Sequence, residues 1–265
     1  HKAVHGPFTP ADRHKNLYED ARFTPPPNLV EAARSRESKP ALRAVTRGTN
    51  NVTLTDGKAS ARDFPIMLKQ MQCLASIDDG VGDLLKALEE TRQLDSTVIV
   101  FSSDNGFFWR EHALGDKRWA YEPSLRIPLL IRYPKLVKAG SRLEQLTLNI
   151  DIAPTLLDLA GVKVPTTMQG RSLVSLLKGE KVAWRKSLLA EYFRDGMFVC
   201  PPWQAVRTDR WKYIHYPENK DSDELYDLQT DPHEMKNLIG EAKVADQLKE
   251  MKAELTRLLK ETGAK

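Results

Sequence analysis

A long helical stripe running straight into a segment fit only for the inside of a sheet is what most narrows the folds open to this chain. Residues Thr97-Val98-Ile99-Val100-Phe101-Ser102 are continuously apolar and rich in β-branched side chains, the composition of a strand covered on both faces. Before them Met67, Met71, Leu74, Ile77, Val81, Leu84, Leu85 and Leu88 recur at steps of three and four, which is one face of a helix. Gly80 and Gly82 thin the middle of that helix, and residues 93–96 read as the turn between the two. Helix into buried strand is half of a βαβ unit and predicts an α/β sheet.

The rest of the chain extends this reading. A second buried strand is predicted over 127–132, where Pro128 marks a strand start or a sheet edge. A third, short strand is predicted over 147–150. The next helix opens at Asp151, carries Pro154 in its first turn and stops at Gly161, and a shorter one covers 172–177. Past Trp184 the pattern changes to short alternating segments at 188–193, 204–208, 211–216 and 224–228, an antiparallel meander. Asp231-Pro232-His233-Glu234 reads as a helix cap with the glutamate reaching back. A last helix from about Glu241 places Val244, Leu248, Met251, Leu255 and Leu258 on one stripe. Residues 8–57 are polar and punctuated by proline, and read as a long surface excursion with a short helix at most. Within them Asn51-Val52-Thr53 fits the N-glycosylation pattern.

Composition removes several function classes. The longest apolar run, 197–203, has seven residues, against the roughly 18 that a membrane span needs. The 40 Lys+Arg exceed the 36 Asp+Glu by only four, and the excess is spread along the chain, which speaks against nucleic acid as a partner. Cys73 and Cys200 form no disulfide framework and lack metal-ligand spacing. The first residues lack the pattern of a signal peptide, and the chain starts on His1 rather than Met, as a processed or trimmed chain would. The 265 residues allow one large domain or two small ones, at roughly 150 residues each.

The strongest chemical signal is Asp104-Asn105-Gly106, directly after the apolar strand. In open α/β sheets ligands bind beyond the carboxyl ends of strands. A carboxylate and an amide oxygen are hard ligands suited to Ca²⁺ or Mg²⁺, although the same three residues also make a plain turn. Thirteen residues on comes Lys117, within Arg110-Glu111-His112-Ala113-Leu114-Gly115-Asp116-Lys117. Then follows Tyr121-Glu122-Pro123-Ser124-Leu125-Arg126-Ile127-Pro128-Leu129-Leu130-Ile131.

This ordered series closely resembles the type I sulfatases of the alkaline phosphatase superfamily, whose pattern runs S-D-N-G or S-D-H-G, G-E-H-x-x-x-x-K, Y-E-x-S-x-R-x-P-L-L-I. Further matches are Asn149-Ile150-Asp151-Ile152-Ala153-Pro154-Thr155, Gln169-Gly170-Arg171-Ser172-Leu173 and Arg207-Thr208-Asp209-Arg210-Trp211-Lys212-Tyr213. Glu224-Leu225-Tyr226-Asp227-Leu228 and Asp231-Pro232-His233-Glu234 complete the series. The resemblance implies the C-terminal part of an alkaline-phosphatase-like α/β sandwich, a mixed sheet flanked by helices, over 1–180. It implies a small antiparallel-sheet subdomain with a C-terminal helix over 181–265.

It also implies roles. Asp104 and Asn105 match two metal ligands, for Ca²⁺ or Mg²⁺. Lys117 matches a lysine on a sulfate oxygen, and His5, in His1-x-x-x-His5-Gly6-Pro7, the histidine that contacts the sulfate and assists the departing oxygen. Sulfuryl transfer needs cations around the non-bridging oxygens and a proton for the leaving alkoxide, and such a set provides both. Arg110 and His112, beside Phe107, Phe108 and Trp109, are candidate substrate contacts on an aromatic and cationic rim for a sulfated glycan or small sulfate ester. Arg110 stands where the family often has glycine.

The family's nucleophile motif, C-x-P-S-R or S-x-P-S-R, whose first residue becomes formylglycine, is absent from these residues. The early Asp-Asp metal pair is absent too. The expectation is a chain lacking the amino-terminal half, inactive alone, with exposed apolar faces and a need for that half or a partner chain. The competing readings are a phosphodiesterase or phosphonate hydrolase on the same scaffold, and a non-catalytic remnant serving in binding or assembly. Periplasmic or secreted location follows from the resemblance alone.

Overall fold

The computed structural model describes residues 4–43, 57–196 and 198–264, so Asn51-Val52-Thr53 lies outside the described residues. In chain order come β1 (Arg22–Phe23) and three short helices, α1 (Pro27–Val30), α2 (Ala32–Glu37) and α3 (Pro40–Arg43). Next are β2 (Ala59–Ser60), the 26-residue α4 (Pro65–Glu90), β3 (Ile99–Ser102), β4 (Phe108–Trp109) and β5 (Gly115–Asp116). They are followed by α5 (Glu122–Leu125), β6 (Leu129–Arg132), α6 (Ile152–Leu159) and α7 (Val174–Leu177). The chain ends with β7 (Ser187–Tyr192), β8 (Trp203–Thr208), β9 (Trp211–His215), β10 (Glu224–Asp227) and α8 (Ala245–Thr262). Contacts group the chain into two compact units. The first is His1–Ala33, Arg47–Thr97 and Phe108–Asp116; the second is Arg34–Thr46, Val98–Phe107 and Lys117–Lys265. The expected boundary at residue 180 falls inside the second unit.

In the first unit α4 forms where its apolar period places a helix, but the predicted stripe is not its buried face: Leu74 and Leu84 are exposed, and the residues it buries are Met67, Gln70, Gln72 and Cys73. Ser60 prepares its entry: the Oγ accepts from the Arg62 amide at 3.2 Å while Asp63 accepts from the Ser60 amide at 3.2 Å, a reciprocal cap. Pro65 then opens the helix, where a missing N–H costs nothing. Met67 packs with Leu29, Ala59, Ala61 and Phe64, and β1 pairs antiparallel with β2. The surface excursion expected over 8–57 is a misreading of its described part, which holds three helices and buries Leu29, Ala41 and Leu42. Its apolar residues are few and follow no period, so pattern alone does not show them as core.

In the second unit β3 pairs antiparallel with β6, from Ile99 opposite Arg132 to Ser102 opposite Leu129. Val98, Val100 and Ile131 face Ile152, Leu156 and Leu159 on one side. On the other, Phe101 is 40% and Leu130 59% exposed. The expectation of a strand buried on both faces is therefore corrected: helix covers one face only. The strand expected over 147–150 is instead a 3₁₀ turn, Asn149–Asp151. The fully buried Asp151 carboxylate accepts from the Leu148 and Arg171 amides, each at 2.8 Å, and pairs with Arg185. Capping of this kind competes with the ladder.

The meander forms as expected, with strand order β10-β9-β8-β7, all antiparallel. Met251, Leu255 and Leu258 of α8 pack on Val206, Tyr213 and Leu225. The helix cap expected at Asp231–Glu234 is a turn, closed by the Glu234 amide on the Asp231 carbonyl at 3.1 Å, with Glu234 at φ +52°. That backbone sends the Glu234 side chain into the interior, where it finds Lys212 rather than a helix terminus.

Candidate functional site

In the second unit one short helix anchors two of the site segments. The Gly106 amide donates to the Ser124 carbonyl at 2.8 Å, and Ser124 Oγ donates to the Lys117 carbonyl. Both hydrogen bonds meet on α5, so the loop after β3 and the backbone of Lys117 share one support. Gly106 is required by closeness: a Cβ there would lie 2.0 Å from the Pro123 carbonyl oxygen. Within the loop Ser103 Oγ donates to the Asn105 carbonyl at 2.9 Å, and the Asn105 amide donates to Asp104 Oδ1 at 3.0 Å. Asn105 Nδ2 donates to the Gly106 carbonyl at 2.7 Å, which leaves Oδ1 as an acceptor. Asp104 is exposed and Asn105 half-buried. Among the described residues the Lys117 ammonium has neither an ion pair nor a hydrogen bond.

The donor set of Asp104 and Asn105 fits part of a hard cation's shell, because both offer oxygen. Among the described residues no group of three or more His, Cys, Asp or Glu is placed to hold a metal. Two ligands fall short of the six to eight that Ca²⁺ usually takes.

The first unit carries the other three candidates. His5 is exposed, with Nδ1 3.1 Å from the Gly6 carbonyl oxygen. The carbonyl of its neighbour Val4 accepts from Gln70 Nε2 at 3.3 Å, and Gln70 Oε1 accepts from the Trp109 indole at 2.5 Å. Trp109 packs against the Phe64 and Met67 cluster, and its amide donates to the Glu111 carboxylate at 2.5 Å. Burial pushes the Glu111 pKa up. The segment between β4 and β5 is strained, with φ of +84° at Arg110, +53° at His112 and +56° at Ala113, and β5 itself ends on Asp116 at φ +69°. Such a run of left-handed non-glycine residues persists only where surrounding contacts enforce it. The Arg110 guanidinium lies 5.9 Å from the Phe64 ring centre. His112 is fully buried, its Nε2 3.3 Å from Asn28 Nδ2.

Asp104, Asn105 and Lys117 thus belong to one unit, and His5, Arg110 and His112 to the other. Sequence reasoning missed Gln70, Asn28 and Ser124. Ser124 was marked only by its place in a motif, and Gln70 only as a polar residue three from Met67 and three from Cys73 on a buried helix face.

Behind α5 lies a buried ionic network. Lys212 Nζ is 2.7 Å from Glu122 Oε1 and 2.7 Å from Glu234 Oε1, and donates to the Ala120 carbonyl at 3.1 Å. Glu234 Oε2 accepts from the Glu122 amide at 2.8 Å, at the first residue of α5. Burial works to raise the Glu122 pKa, but Lys212 and Arg207 together outweigh it and hold it down at about 2. For Glu234 burial wins over Lys212 and the pKa is raised. Glu224 accepts from the Tyr121 and Tyr226 hydroxyls at 2.9 and 2.5 Å. Burial pushes it up to about 7, against the opposing hydrogen bond from Tyr226 and the charge of Lys39. Lys39 donates to the Ser35 and Glu234 carbonyls at 2.6 and 2.5 Å, and burial lowers its pKa.

Comparison with known proteins adds to this geometry. The sulfatase family model matches residues 3–162, and the N-sulphoglucosamine sulphohydrolase C-terminal model matches residues 110–261. An N-acetylglucosamine-6-O-sulfatase of Bacteroides thetaiotaomicron is 41% identical over 200 residues, covering 74% of this chain and 35% of that protein. The Bos taurus N-acetylglucosamine-6-sulfatase is 30% identical over 269 residues, covering 89% of this chain and 46% of that one. A solved structure in complex with its substrate, D-glucosamine-2-N,6-O-disulfate, superposes with a TM-score of 0.82 at 30% identity, over 99% of this chain and 64% of that chain. The chain therefore spans less than half the length of the two curated relatives. With family models matching more than half of its length, the chain belongs to the sulfatase family.

Proposed function

We propose that this chain contributes the carboxyl-terminal share of a site that hydrolyses sulfate esters on sulfated amino sugars, a 6-sulfated glucosamine being the preferred class. The observation that carries the proposal is the common anchoring of the Asp104–Gly106 loop and Lys117 on Ser124, with the Lys117 ammonium unengaged among the described residues. An ammonium without a protein partner is available to a non-bridging sulfate oxygen, where charge develops in the transition state. His5, exposed in the first unit, is the donor for the departing sugar alkoxide. Arg110 offers a planar cation to the substrate. His112 has no exposed surface, so its proposed part in substrate recognition is indirect, holding the strained segment that presents Arg110.

Asp104 and Asn105 would hold part of the shell of a divalent cation, calcium in this reading, which when bound supplies positive charge to the sulfate group. The nucleophile, a formylglycine, comes from residues outside this sequence, either an amino-terminal half or a partner chain. The names of the sulfatase relatives support a sulfate ester over a phosphate diester or phosphonate.

The test is hydrolysis of N-acetylglucosamine 6-sulfate by this chain assembled with a C-x-P-S-R-bearing half. Lys117→Ala is expected to lower kcat by about 100-fold, and the isolated chain to show no turnover. Turnover by the isolated chain, or faster hydrolysis of a phosphate diester than of the sulfate ester by the assembled enzyme, would overturn the reading.

A further inference from the structure

Gln70 uses both ends of one buried side chain to tie together two segments that are 105 residues apart in the chain. It is 5% exposed, on the inward face of α4. Its Nε2 donates to the carbonyl of Val4, the residue before His5, and its Oε1 accepts from the indole of Trp109, the residue before Arg110. A buried amide satisfied at both ends has one orientation, because reversing it would set donor against donor at Trp109. Trp109 is itself fixed, by packing on Phe64 and Met67 and by the Glu111 carboxylate on its amide. Among the described residues the exposed His5 ring has one hydrogen-bond contact, with the carbonyl of its neighbour Gly6, and the His5 carbonyl accepts from the Phe8 amide at 3.4 Å.

We propose that Gln70 is a positioning residue that sets the His5 backbone relative to the Trp109–Arg110 strand end, and so places the imidazole for protonation of the departing oxygen. This rests on the reading of His5 given above. A helix is a better mount for such a device than a loop, since its backbone is held by its own ladder. A displacement of about 1 Å in a proton donor costs up to about 100-fold in rate, and the cost falls on leaving groups that need the proton. A sugar alkoxide needs it; an activated phenolate does not.

The experiment compares Gln70→Met, Gln70→Glu and His5→Ala in the assembled enzyme, on N-acetylglucosamine 6-sulfate and on 4-nitrophenyl sulfate. Gln70→Met removes both hydrogen bonds; Gln70→Glu keeps the acceptor for Trp109 and loses the donor to Val4, so it carries the test if the methionine variant fails to fold. Both are expected to lower kcat about tenfold on the sugar ester and less than about threefold on the aryl ester, with KM unchanged. Equal losses on the two esters, or none, would overturn the positioning role. If His5→Ala itself shows no dependence on the leaving group, the reading of His5 fails and this inference with it. If His5→Ala shows the dependence and the Gln70 variants do not, only the inference fails.

Discussion

Lys212 Nζ and Glu234 Oε1 lie 2.7 Å apart with neither side chain exposed to solvent. Glu122 shares the same ammonium at 2.7 Å and takes Arg207 as a second cation. Removing one member of a buried ion pair strands its partner, at about 3–5 kcal/mol. Lys212→Met, which strands two carboxylates, is expected to cost at least the lower figure in urea unfolding, with the midpoint falling and the slope unchanged. Glu234→Gln leaves Glu122 on Lys212 and is expected to cost less. Equal losses would mean that Glu122 and Glu234 do not share the cation.

Glu224 imposes a pH dependence of the opposite sense from an ordinary acidic pair. Its folded pKa of about 7 lies above the 4.5 of a free glutamate, so the native state holds a proton that the unfolded state has released. Its contribution is therefore complete below pH 4.5 and is lost as pH rises through 7. Glu122, held at about 2, contributes above 4.5 and loses its effect as pH falls toward 2. Melting temperatures of the wild type and Glu224→Gln across pH 4.5–8 check this. The variant, which cannot ionise, is expected to gain on the wild type as pH rises. A constant gap between the two would show that Glu224 does not titrate in this range.

These two acids also show where sequence reading stops. Glu224 and Glu234 stand in stretches that pattern places well, and the meander around them forms as its alternation predicts. Their burial is invisible in sequence because it depends on Lys39, Lys212 and three tyrosines drawn from separate stretches of the chain. The α8 stripe was legible because period reports a face, whereas on α4 period gave the helix but not its buried face, which takes in Gln70 and Gln72 and leaves Leu74 and Leu84 exposed. The 147–150 segment was not, since a single carboxylate, Asp151, diverts it into a turn. At the site, residue types marked Asp104, Asn105 and Lys117, while their common support, Ser124, carried no mark beyond its place in a motif.

Gly106 is held to its identity by space alone. Its φ is outside the left-handed region, so an alanine would be conformationally tolerated. The added Cβ, however, would lie 2.0 Å from the Pro123 and 3.0 Å from the Arg126 carbonyl oxygens, both backbone atoms that cannot swing aside. Gly106→Ala is expected to destabilise the chain by about 1–3 kcal/mol or more and to break the hydrogen bond to Ser124. Calorimetry with Ca²⁺ on the assembled enzyme should then show weakened binding. Unchanged stability would mean that α5 yields to the methyl group.

Arg110 separates backbone strain from charge. At φ +84° a non-glycine residue costs about 1–2 kcal/mol, and the residue type that the family often carries there is the one free of that cost. Arg110→Gly relieves the strain and loses the Phe64 contact, worth about 0.5–1 kcal/mol at a partly exposed site. Arg110→Ala loses the contact and keeps the strain. The glycine variant is thus expected to be more stable than the alanine variant by about 1 kcal/mol, read from thermal unfolding of the chain. If the guanidinium meets substrate, KM for the sugar sulfate rises equally in both, because both lack the same cation. A KM that followed stability instead would assign Arg110 to the fold and take it out of the site.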